Sequence, residues 1–312
     1  MPRISIITPT HNRPGMIGRA IESVLRQTHT DWEMIIADDC PDKPVEAIVR
    51  EYNDPRITYI KHEKNQGGGA ARNTAMKASK GDFFCFIDDD DEWFPNALEI
   101  LLGGIEGTPP EVGFCYATME YKYPDGTIVT AHVPPGIADQ HERALQIFSG
   151  FIGQGLIVKR AVYDNVGGWD PSLPSHQEIE WVIRITKSFS GKGIDTPIMQ
   201  IPIGVNYLHI GNDFPRRIRG RELLLERYKT EFEQHPDIYA KHLFLLAMWH
   251  RSAGNFTAAR RVMGRVVGLR PTLRHFAHYA ILCLNGFLYR VFMRSGLLHD
   301  FIDNNEKNVG SK

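Results

Sequence analysis

Four carboxylates, Asp88, Asp89, Asp90 and Asp91, stand without a break directly after the apolar run FFCFI at residues 83–87. Like charges at contact distance raise one another's pKa, so four ionised aspartates in a row need a compensating cation. A divalent metal supplies one, and hard carboxylate oxygens favour Mg²⁺ or Mn²⁺ over zinc. The competing reading is a solvated acidic turn before a helix, with Pro95 at an early helical position. Position decides for the metal. A run with almost no polar surface reads as a central parallel strand covered on both faces, and ligands of open α/β sheets bind beyond the carboxyl ends of such strands.

Two further loops offer complementary pieces. Asp38 and Asp39 end a second apolar run at residues 33–37, and GGGAARN at residues 67–73 opens a helix. Glycines let a ligand approach the backbone closely, and the free N–H groups of a helix start suit a phosphate. Arg72 adds a cation that can pair with a phosphate or nucleobase oxygen. The chain has no GxxxxGK[ST], and no GxGxxG follows its first strand. A P-loop nucleotidase and a dinucleotide dehydrogenase therefore lose their main support.

The elements that position these loops follow from hydrophobic periodicity. Residues 3–7 form a strand closed by a Thr8-Pro9-Thr10 loop, and Ile17, Ala20, Ile21, Val24 and Leu25 recur at helical spacing. A strand at 33–37, a helix at 45–52, a strand at 57–60 and a helix at 70–79 lead to the strand at 83–87. This alternation predicts right-handed βαβ units and a Rossmann-like, mostly parallel sheet. After Pro109-Pro110, runs at 112–121 and 127–133 flank an Asp125-Gly126 hairpin signal. A strand at 156–158, a helix stop at Gly167-Gly168, a helix at 178–187 and a strand at 201–208 follow, the last delivering His209. From Phe214 the pattern is helical throughout. It contains a basic cluster (Arg216, Arg217, Arg219, Arg221), read as a solvated helix start or a phosphate or lipid contact. Residues 246–271 resemble one tetratricopeptide-like hairpin, which must pack on the main domain or another subunit. Residues 276–292 read as a buried helix or an interfacial membrane helix.

Bulk properties set the class. The chain has 312 residues, 42% hydrophobic and 23% charged, with a formal net charge of −1. These are ordinary values for a globular protein, and they give no global pull toward nucleic acid. Cys40, Cys85, Cys115 and Cys283 show no CxxC spacing, which argues against zinc and a disulfide framework and for a reducing compartment. No signal core follows Met1, and no stretch reaches about 18 uninterrupted apolar residues. The expectation is a cytoplasmic protein, with peripheral contact at the inner membrane face and homo-oligomerisation as open uses of the C-terminal helices.

Taken together, ISIITPTHNRP, SVLRQT, MIIADD, GGGAARNTAMKASKGDFFCFIDDDDEW and VGGWDPSL resemble the family 2 glycosyltransferases of the GT-A fold, over roughly residues 1–210. The resemblance implies an α/β GT-A domain at 1–212 (nucleotide-binding half 1–110, acceptor half 111–212) and a helical region at 213–312. It further implies a nucleotide-sugar donor, with UDP as the prior, and inverting transfer to a hydroxyl of a glycan or lipid-linked acceptor in polysaccharide, lipopolysaccharide or glycoconjugate synthesis. Thr8 and Pro9 would cradle the nucleoside, Asp39 would hold base or ribose with Asp38 beside it, and Arg72 would contact the nucleotide. Asp88 would face the ribose and Asp90 the Mn²⁺ or Mg²⁺, with Asp89 between them and the register open by one. Glu178 aligns with the family's carboxylate base, Glu180 standing second, and Gln177 replaces an acidic neighbour. His209 matches a metal-binding position of that family, a structural histidine being the other reading. Trp169, Asp170 and Gln154 would border the acceptor, Trp169 either stacking on a sugar or packed in the core. His11 and Cys40-Pro41 depart from the family's usual aromatic and Gly-Ser turn. A sugar nucleotidyltransferase would want a GxGTR-like loop and a lysine after the first strand, which residues 8–14 lack. A catalytically silent glycan- or nucleotide-binding module is the other alternative, disfavoured by the intact carboxylates.

Overall fold

The computed structural model describes residues 3–146, 155–202 and 213–283. It divides into two compact units, Met1–His209 and Ile210–Lys312. In the first unit the order is β1 (Ile4–Thr10), α1 (Ile17–Leu25), β2 (Trp32–Asp38), α2 (Glu46–Glu51), β3 (Ile57–Lys61), α3 (Gly68–Ala78), β4 (Phe83–Phe86) and α4 (Ala97–Ile105). There follow β5 (Val112–Lys122), β6 (Ile128–Ala131), β7 (Gly136–Ala138), α5 (His141–Leu145), β8 (Leu156–Lys159), α6 (Arg160–Val166), α7 (Gln177–Thr186) and β9 (Ser190–Pro202).

Among the described residues the strands form one sheet in the order β3-β2-β1-β4-β8-β5-β9-β7, with β6 paired to β5. The strands β3, β2, β1 and β4 run parallel, as the βαβ alternation requires. The short β8 is antiparallel to both β4 and β5 and so joins the parallel half to the second half. Every residue of β4 is buried. Its neighbours are β1, parallel, and β8, antiparallel, so it is central but parallel on one side alone. Ile17, Ala20, Ile21 and Val24 of α1 are buried against the same core as Ile4, Ile6 and Ile36. The parallel half therefore rests on interleaved apolar strand and helix faces, each buried aliphatic side chain contributing on the order of 2 kcal/mol.

Several predicted boundaries move. β1 continues through Thr8, Pro9 and Thr10, where a loop was expected. Its pairing with β4 ends at Ile7, and the pairing with β2 alone carries on to Thr10. Pro9 thus falls where the strand has one neighbour and its missing N–H is tolerated. Pro95 lies ahead of Asn96, which caps α4, and so stands outside the helix. The last strand begins at Ser190, earlier than the predicted 201, and its Gly191 and Gly193 pair with the unforeseen β7. Residues 203–208 of the predicted strand lie outside the described residues. The hairpin at Asp125-Gly126 forms with Gly126 at φ 86°, a conformation that favours glycine.

The second unit contains α8 (Phe214–Arg227), α9 (Lys229–Gln234), α10 (Pro236–Ser252), α11 (Phe256–Leu269) and α12 (Leu273–Cys283). The tetratricopeptide-like hairpin is α10 and α11, turned at Gly254 (φ 79°). Within its own unit it is covered by α8 and α12, so it does not depend on a foreign surface alone. The basic cluster divides: Arg219 is exposed and Arg216 partly so, as a solvated start has them, but the other two turn inward. Arg217 lies over the Trp249 ring at 4.2 Å, and Arg221, one turn later, is fully buried and hydrogen-bonded to His242.

His278 on α12 is buried with its ring edge on Phe244, and its pKa falls from about 6.5 to about 4. Burial is the main cause, and the charges of Arg274 and Arg251 add to it. A depressed histidine pKa favours folding above pH 6.5 and loses that contribution as pH falls toward 4, worth about 3 kcal/mol. Amide exchange of α10–α12 should accelerate over that window in the full chain. His278→Gln should flatten the dependence, and an unchanged slope would refute the assignment.

Candidate active site

The carboxyl edge of the parallel strands gathers the predicted loops. The ends of β1 and β2, the start of α3, the turn after β4 and the start of α7 each contribute. Glycine and backbone geometry set the local frame. Gly67, at φ 89°, turns the chain into α3. Asp39 holds that turn, its Oδ1 accepting from the Gln66 N–H at 2.7 Å and its Oδ2 from the Gly67 N–H at 2.6 Å. His62 Nδ1 shares the Asp39 Oδ1 at 2.9 Å, and its Nε2 meets Thr74 Oγ1 at 2.8 Å. Asp39 is thereby fixed from three directions.

Asp38 is 0% exposed and turns inward. It accepts from the N–H groups of Cys40 and Val45 at 3.0 and 2.8 Å and from the Tyr59 hydroxyl at 2.7 Å. Its role here is to fold the loop at Cys40-Pro41; it offers no open face to a ligand. Thr8 is fully buried, and its Oγ1 has no hydrogen-bond partner among the described residues. His11 donates from Nδ1–H to the Asp39 carbonyl at 2.9 Å.

The four aspartates divide by direction. Asp89 is buried and accepts from Thr10 Oγ1 at 2.6 Å and from Arg13 Nη1 at 2.9 Å. The same Nη1 donates to Asp90 Oδ2 at 2.7 Å. Burial pushes the Asp89 carboxyl up to about 6 despite the opposing pull of Arg13 and Thr10. Asp88 accepts from Arg72 Nη2 at 2.6 Å. Oxygens of Asp88, Asp90 and Asp91 lie within 4.8 Å of one another. An all-carboxylate set of that size fits a hard divalent cation. Asp91 joins this set and Asp89 does not.

Arg72 is the hinge of the site. Its Nη1 lies 4.0 Å from Glu178 Oε1, and its guanidinium sits over the Trp169 ring at 4.8 Å. Burial works against the charge, but Asp88 and then Glu178 outweigh it and raise its pKa. Trp169 is 2% exposed and stacked on Trp181 at 5.1 Å, so it is a packed ring that supports Arg72 and not a platform for a sugar. Asn73 clasps the same turn from both sides, donating to the Trp169 carbonyl at 2.7 Å and accepting from its N–H at 2.8 Å.

Helix α7 starts after His176, whose φ of 62° swings the chain sharply into the helix. Gln177 is buried against Gly69, where an added Cβ would meet its amide at 2.7 Å, and donates to the Leu173 carbonyl. Glu178 next to it keeps 26% of its side chain exposed. Glu180 is buried and bound by Arg184 through Nε at 3.1 Å and Nη2 at 2.8 Å. Arg184 in turn donates to the carbonyls of Val166 and Gly168. Sequence reading gave Asp91 only as a member of the acidic run, and it gave no role to Arg13, His62, Asn73 or Arg184. Of these, Arg13 alone carried a signal, as a cation just past a strand that runs beside four aspartates. The predicted His209 and Gln154 lie outside the described residues.

Comparison with known proteins gives the same direction. The family described as Glycosyl transferase family 2 matches residues 5–167, just over half the chain. The putative colanic acid biosynthesis glycosyl transferase WcaA of Escherichia coli K12 is 50% identical over 103 residues, 32% of this chain and 37% of that protein. An uncharacterized Haemophilus influenzae glycosyltransferase is 28% identical over 79% of this chain and 84% of its own length. WfgD of Escherichia coli, a UDP-Glc:alpha-D-GlcNAc-diphosphoundecaprenol beta-1,3-glucosyltransferase, is 40% identical over 38% of this chain and 46% of that protein. Among solved structures, S. aureus TarS 1-349 in complex with UDP-GlcNAc overlays with a TM-score of 0.55 at 16% identity, covering 90% of this chain and 79% of that one. The mannosyltransferase PcManGT of Pyrobaculum calidifontis, with GDP-Man and Mn²⁺, gives 0.55 at 16% identity over 93% and 83%. The fold is that of the GT-A glycosyltransferases.

The Asn73 clasp yields a stability prediction. Asn73→Ala leaves a buried N–H and a carbonyl of Trp169 without partners, at a cost of about 2–4 kcal/mol. Urea unfolding of the variant should show a lowered midpoint with an unchanged slope. A shift below about 0.5 kcal/mol would mean that the 167–170 turn is held by other contacts.

Proposed function

This chain belongs to glycosyl transferase family 2, and we propose that it moves a sugar from a nucleoside-diphosphate donor to a hydroxyl of a glycan or lipid-linked acceptor, with inversion. The names of WcaA and WfgD, together with that of TuaG from Bacillus subtilis, a putative teichuronic acid biosynthesis glycosyltransferase, support polysaccharide assembly as the setting. The TarS complex favours a UDP-sugar as donor, and the GDP-Man complex keeps GDP open.

One observation carries the reading. Arg72 spans from Asp88 at 2.6 Å to Glu178 at 4.0 Å and so couples the donor side of the site to a partly exposed carboxylate at a helix start. Pro9 and the 66–67 turn that Asp39 holds border the nucleoside end, with Asp38 acting through the loop it folds and Thr8 buried beneath them. Asp88 faces the ribose beside the diphosphate. Asp90, with Asp91 next to it, would hold Mn²⁺ or Mg²⁺, which neutralises charge on the departing diphosphate when bound. Glu178 takes the proton from the acceptor oxygen as that oxygen attacks the anomeric carbon from the face opposite the diphosphate. Arg72, 4.0 Å away, orients Glu178.

The neighbouring Glu180 has a different task. Its carboxylate is consumed by Arg184, which pins the turn before α7. Glu178→Gln should abolish transfer while nucleoside-diphosphate binding stays within about twofold. Glu180→Gln should instead lower stability by about 3 kcal/mol, because it leaves Arg184 without its anion. Equal loss of binding and transfer in the first variant would remove Glu178 from the chemistry.

Calorimetric titration with UDP, GDP, dTDP and CMP, each with and without Mn²⁺, tests the donor side. Metal-dependent binding of one diphosphate is expected. Binding of none of them by folded protein would refute the transferase reading and leave a silent binding module.

A further inference from the structure

Helix α12 is built the wrong way round for an ordinary surface helix. Its inward face carries His278 and Leu282, both buried, and His275 and His278 rest on Phe244 at ring separations of 5.6 and 5.0 Å. Its outward face carries Leu273 at 82% exposure, Phe276 at 51% and an exposed Tyr279. Leu273, Phe276 and Ala280 follow at i, i+3 and i+7, so the apolar side chains make one stripe. A water-facing helix normally shows the reverse pattern, and an exposed apolar stripe marks a surface that something else covers.

The charge around the stripe narrows what covers it. From Arg251 to His299 the sequence has eight arginines, no lysine and no aspartate or glutamate. Arg270 and Arg274 flank Leu273 in the chain. On the neighbouring α11, Arg260, Arg261 and Arg265 are exposed. The two helices touch where the Tyr279 ring lies 3.5 Å from the position of a Cβ on Gly264, one turn beyond Arg260 and Arg261. In space the acids against these arginines are Asp237, paired to Arg270 at 3.2 Å, and Glu222, on His250 at 3.4 Å, so Arg260 and Arg261 of α11 carry the outward positive charge. Exposed arginines beside Leu, Phe and Tyr side chains are complementary to anionic headgroups over an acyl layer. Spanning is excluded for the described helices, since none is long and apolar enough to cross a membrane.

We propose that the outward face of α12, with the arginines of α11 beside it, docks on an anionic lipid bilayer and lies in its plane. Leu273 and Phe276 enter the headgroup boundary, Tyr279 sits at its polar level, and the arginines pair with lipid phosphates. The proposal stands on the second unit alone and does not depend on the transferase reading.

Flotation of the full chain with vesicles of phosphatidylcholine alone, or with about one third phosphatidylglycerol, tests it, the anionic fraction being large enough to set a surface potential. Binding to the anionic vesicles is expected, at least tenfold weaker to phosphatidylcholine alone. The double variant Leu273→Glu, Phe276→Glu should lose at least tenfold in anionic-vesicle binding, with its thermal midpoint retained because both positions are exposed. Arg260→Gln with Arg261→Gln should weaken binding and reduce its salt dependence. No binding by the parent chain, equal binding to both vesicle types, or equal binding by the Leu273/Phe276 variant would overturn the proposal. Light scattering that shows a dimer, dissociated by the same variant without any vesicle binding, would overturn it in favour of a second copy of the chain.

Discussion

The end of β4 poses one problem that the rest of the site answers: four carboxylates leave a buried strand together. Two arginines from different parts of the chain meet them. Arg13 bridges Asp89 and Asp90, and Arg72 takes Asp88. Each is worth more here than at a surface, because the groups are partly withdrawn from water. The division leaves the carboxylates unequal. Asp89 is folded into the protein and pushed up to about 6, while Asp88, Asp90 and Asp91 stay close enough to share a cation. A run of identical residues thus becomes one structural anchor and three candidate ligands, and the difference arises from burial and partners.

The same economy governs Arg72. A buried arginine is stable only where its charge is answered, and Asp88 and Glu178 answer it from two sides. Its plane is set by Trp169, Trp169 by Trp181 and by the Asn73 clasp, and the turn beneath by Arg184 and Glu180. These contacts link α3, the 167–170 turn and α7 in one chain of fixed geometry. Preorganisation of that kind is what lets a charged site act without rearranging.

The parallel half of the fold was legible because its period is strong. Ile17, Ala20, Ile21 and Val24 can satisfy only a helix, and residues 83–87 only a buried strand. The acidic cluster and the glycine turn at 67–69 were legible for the same reason, as local chemistry with few alternatives. What the sequence did not disclose depends on partners far along the chain. Nothing near Arg13 says that it crosses to Asp89 and Asp90, 76 and 77 residues away. Nothing near Trp169 says that its ring is covered by Trp181, so a sugar platform and a core residue read alike. Arg221 likewise looked like part of a solvated cluster, and its burial against His242 follows from packing between α8 and α10.

Glu178 and Glu180 show the limit most sharply, because two carboxylates at the start of one helix are equivalent by composition and by proximity to its positive end. Two residues apart on a helix they point about 200° from each other, so one must face the core side if the other faces the sheet edge. Arg184 lies one turn beyond Glu180 on the same face and captures it. Glu180 is therefore taken by a cation four residues downstream, while Glu178 stays partly exposed beside Arg72 and Gln177 fills the space above Gly69.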